Sequence, residues 1–383
     1  MRQAKLSKQH QLKKMSVAIV HDSYLYQGGA ERVLLSLLTL FPQADVYIPL
    51  IRKPYLKKLR QKHRVFTSIF NLVVWPEKYV SFIKPFILWY WRQLNLSQYN
   101  LVISSSHSFS AKSVKTQQPT LHIAYIHTPP RYLYQEFNEM SWLKKPLFKW
   151  LFAGFLTALR KIDYQAAQRP DILITNSKTT QQRIAKYYQR ASQVIYPPVI
   201  LPKNKTVKRT VSPKYYLFHS RLVKQKGAEL VIRAFNQLKK PLVVVGEGSE
   251  KKRLQKLAQS HIIFKGFLTD KNISKIYKDT KALVYGAVEE DFGLVPVEAM
   301  SYGVPVIAYA SGGVRETVSH GKTGLLFNKY SLKSLTRAVK TFEQKSWSTI
   351  ACTKQAQRFS ENIFRQQFLT TINRQLLKQR KQP

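Results

Sequence analysis

The chain has 383 residues, 63 of them Lys or Arg against 20 Asp or Glu, for a formal net charge of +43. That length makes two domains the default, and 44% hydrophobic content is enough for large cores. So high a charge points to polyanionic partners, whether nucleic acid, an anionic membrane surface or phosphorylated ligands, and the single cysteine, Cys352, excludes an intrachain disulfide and fits a reducing compartment.

Residues 1–14 are basic and polar, lack the apolar core of a secretory signal, and read as a disordered tail. A strand over Ser16–Val20 ends at His21-Asp22. The turn Gly28-Gly29 leads into helical spacing at Ala30, Val33, Leu34, Leu37, Leu38 and Phe41. Strand, glycine turn and helix are the opening of a doubly wound α/β domain, with its crevice at the strand's C-terminal end. Gly28 and Gly29 would let backbone approach a phosphate or sugar, although plain turn geometry accounts for them equally well.

From Ile69 to Leu94 the chain is aromatic: Phe70, Trp75, Tyr79, Phe82, Phe86, Trp89, Tyr90 and Trp91 alternate with Lys78, Lys84 and Arg92. Strands follow at Leu101–Ser104 and Leu121–Ile126. The second delivers His127-Thr128-Pro129-Pro130 to the crevice edge, where His127 could meet a ligand or simply be satisfied by backbone. Phe148, Leu151, Phe152, Phe155, Leu156 and Leu159 form one helical stripe bordered by Lys144, Lys145, Lys149 and Arg160. Such a stripe is a core face or a membrane-surface helix. The most apolar runs, Phe86–Trp91 and Leu151–Leu159, are too short to span a bilayer.

After a strand at Asp171–Asn176 and a helix at Thr179–Tyr188, residues 199–213 read as a polar, basic, proline-bracketed linker. The first domain is thus 15–198. The second, 214–360, restarts the alternation: Lys214–His219 is a strand, and the loop Ser220 to Gly227 carries Arg221 and Lys226. The strand Pro241–Val245 ends at Gly246-Glu247-Gly248, and Ile262–Lys265 leads to Gly266-Phe267. The strand-like run Lys281–Val288 precedes Glu289-Glu290-Asp291-Phe292-Gly293-Leu294-Val295-Pro296-Val297-Glu298. Four of the 20 acidic residues fall within these ten positions. Val297–Tyr302 reads as a helix with Glu298 in its first turn, and the N–H groups of Leu294, Val295 and Val297 would form an anion site. A solvated acidic turn is the bland alternative. Ser311-Gly312-Gly313 ends a further strand, and residues 361–383 read as a C-terminal helix crossing back towards the first domain.

Chemically, cations and helix N-termini bind phosphates, whereas carboxylates bind paired hydroxyls. Together they describe a ligand with a diphosphate and polyols, a nucleotide sugar. Neither half carries G-x-G-x-x-G after its first strand and no G-x-x-x-x-G-K-[ST] occurs, against a nicotinamide enzyme or a P-loop NTPase. No Cys/His grouping has metal-ligand spacing.

With these residues, the chain resembles the retaining glycosyltransferases of family 4. The E-x7-E signature matches Glu290 and Glu298. Ser220-Arg221 to Lys226-Gly227, Gly246-Glu247-Gly248, Gly303 to Val306, Gly312 to Glu316, His21-Asp22, Gly28 to Arg32 and His127-Thr128-Pro129 fit as well, from Met15 almost to the end. The resemblance implies a GT-B fold, two Rossmann-like parallel-sheet domains facing a central cleft. It is nearest to mannosyltransferases of O-antigen and other surface polysaccharides. The expected reaction is transfer of a hexose, mannose from GDP-mannose by preference, to a lipid-linked or polysaccharide acceptor. No metal cofactor is expected, and the enzyme would sit in the cytoplasm at the anionic inner face of the membrane.

By the same resemblance, Arg221 and Lys226 would neutralise the donor diphosphate, Glu290 would hold the sugar hydroxyls and Glu298 the ribose. The Phe292, Gly293 and Leu294 amides would hold sugar or phosphate. Gly28 and Gly29 would touch the diphosphate, His127 the sugar, and Gly248 and Phe267 the base. Asp291 and Ser220 stand where the family often has glycine. A GT-B-type epimerase or hydrolase and a basic nucleic-acid-binding protein stay open as alternatives, although basic residues spread along the whole chain disfavour the latter.

Overall fold

The computed structural model describes residues 14–72, 80–107, 111–134, 146–202 and 212–379. The chain divides into two compact units, 1–197 with 364–383, and 198–363. Val199, inside the stretch read as linker, pairs in an isolated bridge with Ser360 of the second unit.

The first unit holds strands β1 (Val17–His21), β2 (Asp45–Tyr47), β3 (Val65–Phe66), β4 (Leu101–Ser106), β5 (Leu121–Ile126), β6 (Ile172–Thr175) and β7 (Gln193–Val194). They form one sheet in the order β3-β2-β1-β4-β5-β6-β7, parallel throughout. Its central strands are continuous apolar runs because helices cover both faces. The helix Gly29–Leu40 buries Val33, Leu34, Leu37 and Leu38 on one face. On the opposite face the helix Val80–Gln93 buries Ile83, Ile87 and Trp91 at four-residue intervals against Ala18, Val20 and Val102. The final helix, Glu361–Gln379, belongs mostly to this unit. Its Phe364, Phe368 and Ile372 are part of the core built on β1, β4 and β5.

The second unit holds β8 (Tyr215–His219), β9 (Leu242–Val245), β10 (Ile262–Gly266), β11 (Thr280–Tyr285), β12 (Val306–Tyr309) and β13 (Gly324–Phe327), all parallel, in the order β10-β9-β8-β11-β12-β13. Both sheets are Rossmann-like. In each, the order reverses beside the first strand, between β1 and β4 and between β8 and β11. Such switch points open a crevice at the C-terminal strand ends, where α/β domains bind ligands.

Two sequence expectations change. The helix after the acidic loop runs Leu294–Ser301, three residues earlier than the spacing indicated. Pro296 is tolerated as the third helical residue because its missing N–H falls among those without an intrahelical partner. Val297 is therefore the fourth residue, within reach of the Gly293 carbonyl, and Glu298 sits in the second turn. The expected stripe on Pro146–Gln168 also splits: Leu156 is buried and Leu159 half-buried, while Phe155 is exposed. The side chains of Phe148, Leu151 and Phe152 lie outside the described residues, as do residues 1–13 and 203–211.

Candidate active site

In the second unit the C-terminal ends of β8 and β11 carry the expected cations and carboxylates. One glycine contact joins these two loops, and a second joins the β11 loop to the loop after β12. Gly227 has φ +71°, and a Cβ there would lie 2.0 Å from the carbonyl oxygen of Gly286. Gly312 has φ +60°, and its Cβ would lie 2.1 Å from the carbonyl oxygen of Glu290. Only glycine allows both the left-handed backbone and the close approach. The Gly313 N–H donates to that Glu290 carbonyl at 2.8 Å, and the Glu289 N–H to Ser311 Oγ at 2.9 Å. Glu289 itself is left-handed, with φ 52°, a conformation uncommon outside glycine. The acidic loop is thus a backbone clasped from both sides.

Lys226, 64 residues before Glu290, reaches it across the first contact: Nζ donates to Oε2 at 2.5 Å. The Tyr285 hydroxyl, at the end of β11, donates to the same oxygen at 3.0 Å. Burial first, then the charges of Glu290 and Glu298, hold that phenol well above its ordinary pKa, while Arg221 pulls the other way. Tyr285 is therefore a neutral donor among both carboxylates and the arginine. The Arg221 side chain is exposed and forms no ion pair among the described residues. Gly248 packs on the Leu222 backbone, where a Cβ would lie 2.3 Å from the carbonyl oxygen. Phe267 is 74% exposed at the end of β10. Gly293, φ +91°, caps the helix Leu294–Ser301, which points two free N–H groups, of Leu294 and Val295, out of its N-terminus. The Phe292 ring is buried edge-on against Phe359, 5.3 Å between centroids, so only its backbone can face a ligand.

In the first unit, Gly28 and Gly29 start the helix Gly29–Leu40. The Gly28 N–H donates to Glu31 Oε2 at 2.9 Å, closing the helix's first turn. Glu31 Oε1 lies 3.8 Å from Nε2 of His21, the last residue of β1. His21 Nδ1 is 3.0 Å from Oγ of Ser105, its register partner on β4. Ser105 Oγ is in turn 2.8 Å from Nε2 of His127. Burial would raise the Glu31 pKa, but His21, 3.8 Å away, and His107 bring it below the ordinary value. Burial first, then the neighbouring His107 and His21, push the His127 pKa well below its ordinary value. The His127 carbonyl is anchored by Asn176 Nδ2 at 2.8 Å. His21, Glu31 and His107 also place one ligand-type atom each within 4.8 Å of one another, a geometry able to hold a metal ion.

The expected residues thus fall into two groups. Arg221, Lys226, Gly248, Phe267, Glu290, Phe292, Gly293, Leu294 and Glu298 lie at the strand ends of the second unit, and Gly28, Gly29 and His127 at those of the first. Tyr285 and Ser105 escaped the sequence reading. Tyr285 is the last residue of β11, and Ser105 is the middle of three serines that end β4.

Comparison with known proteins gives two family matches, "Glycosyltransferase Family 4" over residues 27–201 and "Glycosyl transferases group 1" over residues 202–366. The alpha-1,3/1,6-mannosyltransferase ALG2 of Kluyveromyces lactis is 29% identical over 222 residues, 43% of this chain and 44% of that protein. A GDP-mannose-dependent alpha-(1-6)-phosphatidylinositol monomannoside mannosyltransferase of Mycolicibacterium smegmatis is 26% identical over 231 residues, 53% of this chain and 58% of that protein. The matches therefore span about half of those relatives' length. The crystal structure of Anabaena HepE with UDP and glucose superposes with a TM-score of 0.67 at 20% identity, over 94% of this chain and 99% of that one. The two matches run through both Rossmann-like units, and the chain belongs to the family 4 glycosyltransferases of GT-B fold.

Proposed function

We propose that the chain is a retaining glycosyltransferase that moves a hexose, mannose from GDP-mannose by preference, to a lipid-linked or polysaccharide acceptor in surface glycan synthesis. The observation that carries the reading is the grouping of Lys226, Tyr285 and Glu290 at the β8–β11 switch point, with Arg221 and Glu298 electrostatically coupled to the same phenol. Lys226 and Tyr285 fix one oxygen of Glu290, which orients the carboxylate towards sugar hydroxyls. Arg221, which has no ion pair among the described residues, takes the diphosphate charge that grows as the glycosidic bond breaks. The Gly293–Val295 helix start adds N–H donors for the sugar or phosphate, Glu298 takes the ribose, and Gly248 and Phe267 border the base. In the first unit Gly28 and Gly29 bind the diphosphate and His127 the sugar. No metal is invoked, because cations of the chain supply the charge. The preference for mannose rests on the relatives whose names give that sugar.

The same reading places the enzyme at the anionic inner face of the membrane. Phe86 and Trp89, 55% and 62% exposed on the helix Val80–Gln93, and the exposed Ile69 and Leu72 support it, together with the charge of +43. Among the described residues no helix is long and apolar enough to cross a membrane.

The test is a panel of GDP- and UDP-sugars scored by thermal shift and by transfer to polyprenyl-linked acceptors. Stabilisation by GDP-mannose with acceptor-dependent turnover is the expected result. Consumption of the donor at one rate with and without acceptor would favour a hydrolase, and RNA binding with no nucleotide-sugar response would overturn the reading.

A further inference from the structure

We propose that His21, Glu31 and His107 form a binding site for one divalent transition-metal ion, zinc by preference, at the C-terminal strand ends of the first unit. The site goes beyond the donor reading and does not depend on it, since there Arg221 answers the diphosphate charge.

The three side chains place one ligand-type atom each within 4.8 Å of one another. They come from three segments: His21 ends β1, Glu31 is the third residue of the helix Gly29–Leu40, and His107 follows the last residue of β4. Nε2 of His21 and Oε1 of Glu31 are 3.8 Å apart. That is too long for a hydrogen bond. Nε2 belongs to a fully buried side chain and has no hydrogen-bond partner among the described residues. A buried polar atom left in this way calls for a partner. Two ligand atoms on one tetrahedral zinc stand about 3.4 Å apart, whereas two groups bridged by one water stand about 4.6 Å apart. The observed gap is nearer the first. Glu31 also lies below its ordinary pKa, so the carboxylate is ionised, as a ligand must be.

Each ligand has an outer partner of the kind that orients metal ligands. Ser105 Oγ is 3.0 Å from Nδ1 of His21, which turns the other ring nitrogen, Nε2, to the ion. Glu31 takes the Gly28 N–H on Oε2 and keeps Oε1 for the ion. Asp22 accepts the backbone N–H of His107 at 2.6 Å and faces its Nδ1 at 3.9 Å, which steadies the second ring. The donor set selects the ion: imidazole suits zinc and its first-row neighbours, whereas magnesium and calcium take oxygen ligands. Three protein ligands leave one position of a tetrahedral shell for water. Bound there, the ion ties the end of β1 to the first turn of the following helix and to the chain after β4, across the switch point of this sheet.

The experiment uses the full-length, untagged chain, stripped with a chelator and then dialysed against zinc or cobalt. The expected result is one zinc per chain by mass spectrometry after gel filtration, the visible absorption of four-coordinate cobalt, and a melting temperature raised by either metal. Ser105→Ala removes only the outer partner of His21 and should weaken zinc binding roughly ten- to a hundredfold. Glu31→Gln, which keeps an oxygen for the Gly28 N–H and so preserves the helix start, should weaken it further, as should His107→Gln. A wild-type chain that retains no zinc or cobalt above background would overturn the site. So would wild-type affinity in both Glu31→Gln and His107→Gln, because the ion would then be held by other groups.

Discussion

Lys226 Nζ and Glu290 Oε2 are 2.5 Å apart, across a loop contact that brings together residues 64 positions distant in sequence. The pair is partly exposed, so its net worth to folding is small, of the order of 1 kcal/mol or less. Its worth to catalysis is different, because the lysine and the Tyr285 hydroxyl together hold the carboxylate in one orientation. Tyr285→Phe deletes a hydrogen bond to a charged group, worth about 1.5–3 kcal/mol in general. A fall of roughly ten- to a hundredfold in kcat/KM follows, with little change in thermal stability. Glu290→Gln should cost more than Tyr285→Phe, and Arg221→Ala should weaken donor binding in a salt-dependent way. Steady-state kinetics with a melting curve on each variant separate these effects. Wild-type turnover in Glu290→Gln would remove that residue from the site.

The glycine contacts make a second prediction with an internal control. Gly227, Gly312 and Gly321 all have positive φ, but only the first two would drive a Cβ to within about 2.1 Å of backbone oxygen, and Gly321 has nothing within 4 Å. Gly321→Ala should cost only the left-handed strain, about 1–2 kcal/mol. Gly227→Ala must also part the β8 and β11 loops, and Gly312→Ala the β12 and β11 loops, so each should lower the melting temperature further and abolish nucleotide-sugar binding. Equal losses for all three would show that backbone strain, and not loop contact, governs these positions.

Much of this arrangement was legible in the chain. Parallel strands covered on both faces are continuous apolar runs, as at Val17–Val20 and Leu283–Val284, and the glycines that end them mark the ligand edge. The E-x7-E spacing placed both carboxylates beside one switch point. What stayed hidden depends on tertiary contact. Lys226 was assigned to phosphate and Glu290 to sugar, and nothing local reveals that they meet. Tyr285 looks like any strand aromatic until its hydroxyl is seen under Glu290. The helix start at Leu294 was obscured by Pro296, which marks a first turn without saying which of its positions it fills. The burial of the Phe292 ring against Phe359, 67 residues on, is likewise a tertiary contact that no local pattern reveals.

The buried histidines of the first unit set a pH dependence. His122 is pushed down to about 3 by burial first and by Arg169 and Arg190 second, and His127 also lies well below its ordinary value. The unfolded chain therefore binds these two protons from about pH 6.5 downward while the folded chain refuses them. With more protons on the unfolded state, stability rises with pH, so it is complete above about 6.5 and lost as pH falls below it. Each group contributes a slope approaching about 1.4 kcal/mol per pH unit. Five of the six tryptophans, Trp75, Trp89, Trp91, Trp142 and Trp150, belong to the first unit, so fluorescence reports its unfolding. The denaturant midpoint should fall between pH 6.5 and 5, and His122→Gln should remove about half of the slope. A flat midpoint over that range would mean that the rings protonate in place.

The proposed membrane attachment can be tested apart from folding on one helix. Along Val80–Gln93, Trp91 is buried in the core while Phe86 and Trp89 stand out on the other side, and Phe70 lies 5.8 Å from the Phe86 ring. Exposed aromatics of this kind insert at a lipid headgroup boundary, and basic charge adds attraction to anionic lipid. Replacing Phe86 and Trp89 together by alanine should leave the unfolding free energy within about 0.5 kcal/mol of wild type, as for surface positions generally. It should reduce sedimentation with phosphatidylglycerol vesicles at low salt several-fold. Trp91→Ala should do the reverse, with a stability cost of about 3–5 kcal/mol for a large buried aromatic. Turnover of a soluble acceptor should be unchanged in the double variant, while turnover of a vesicle-borne polyprenyl acceptor falls with binding. If vesicle binding survives the double substitution, this face of the helix is not what meets the membrane, and the exposed rings have another partner.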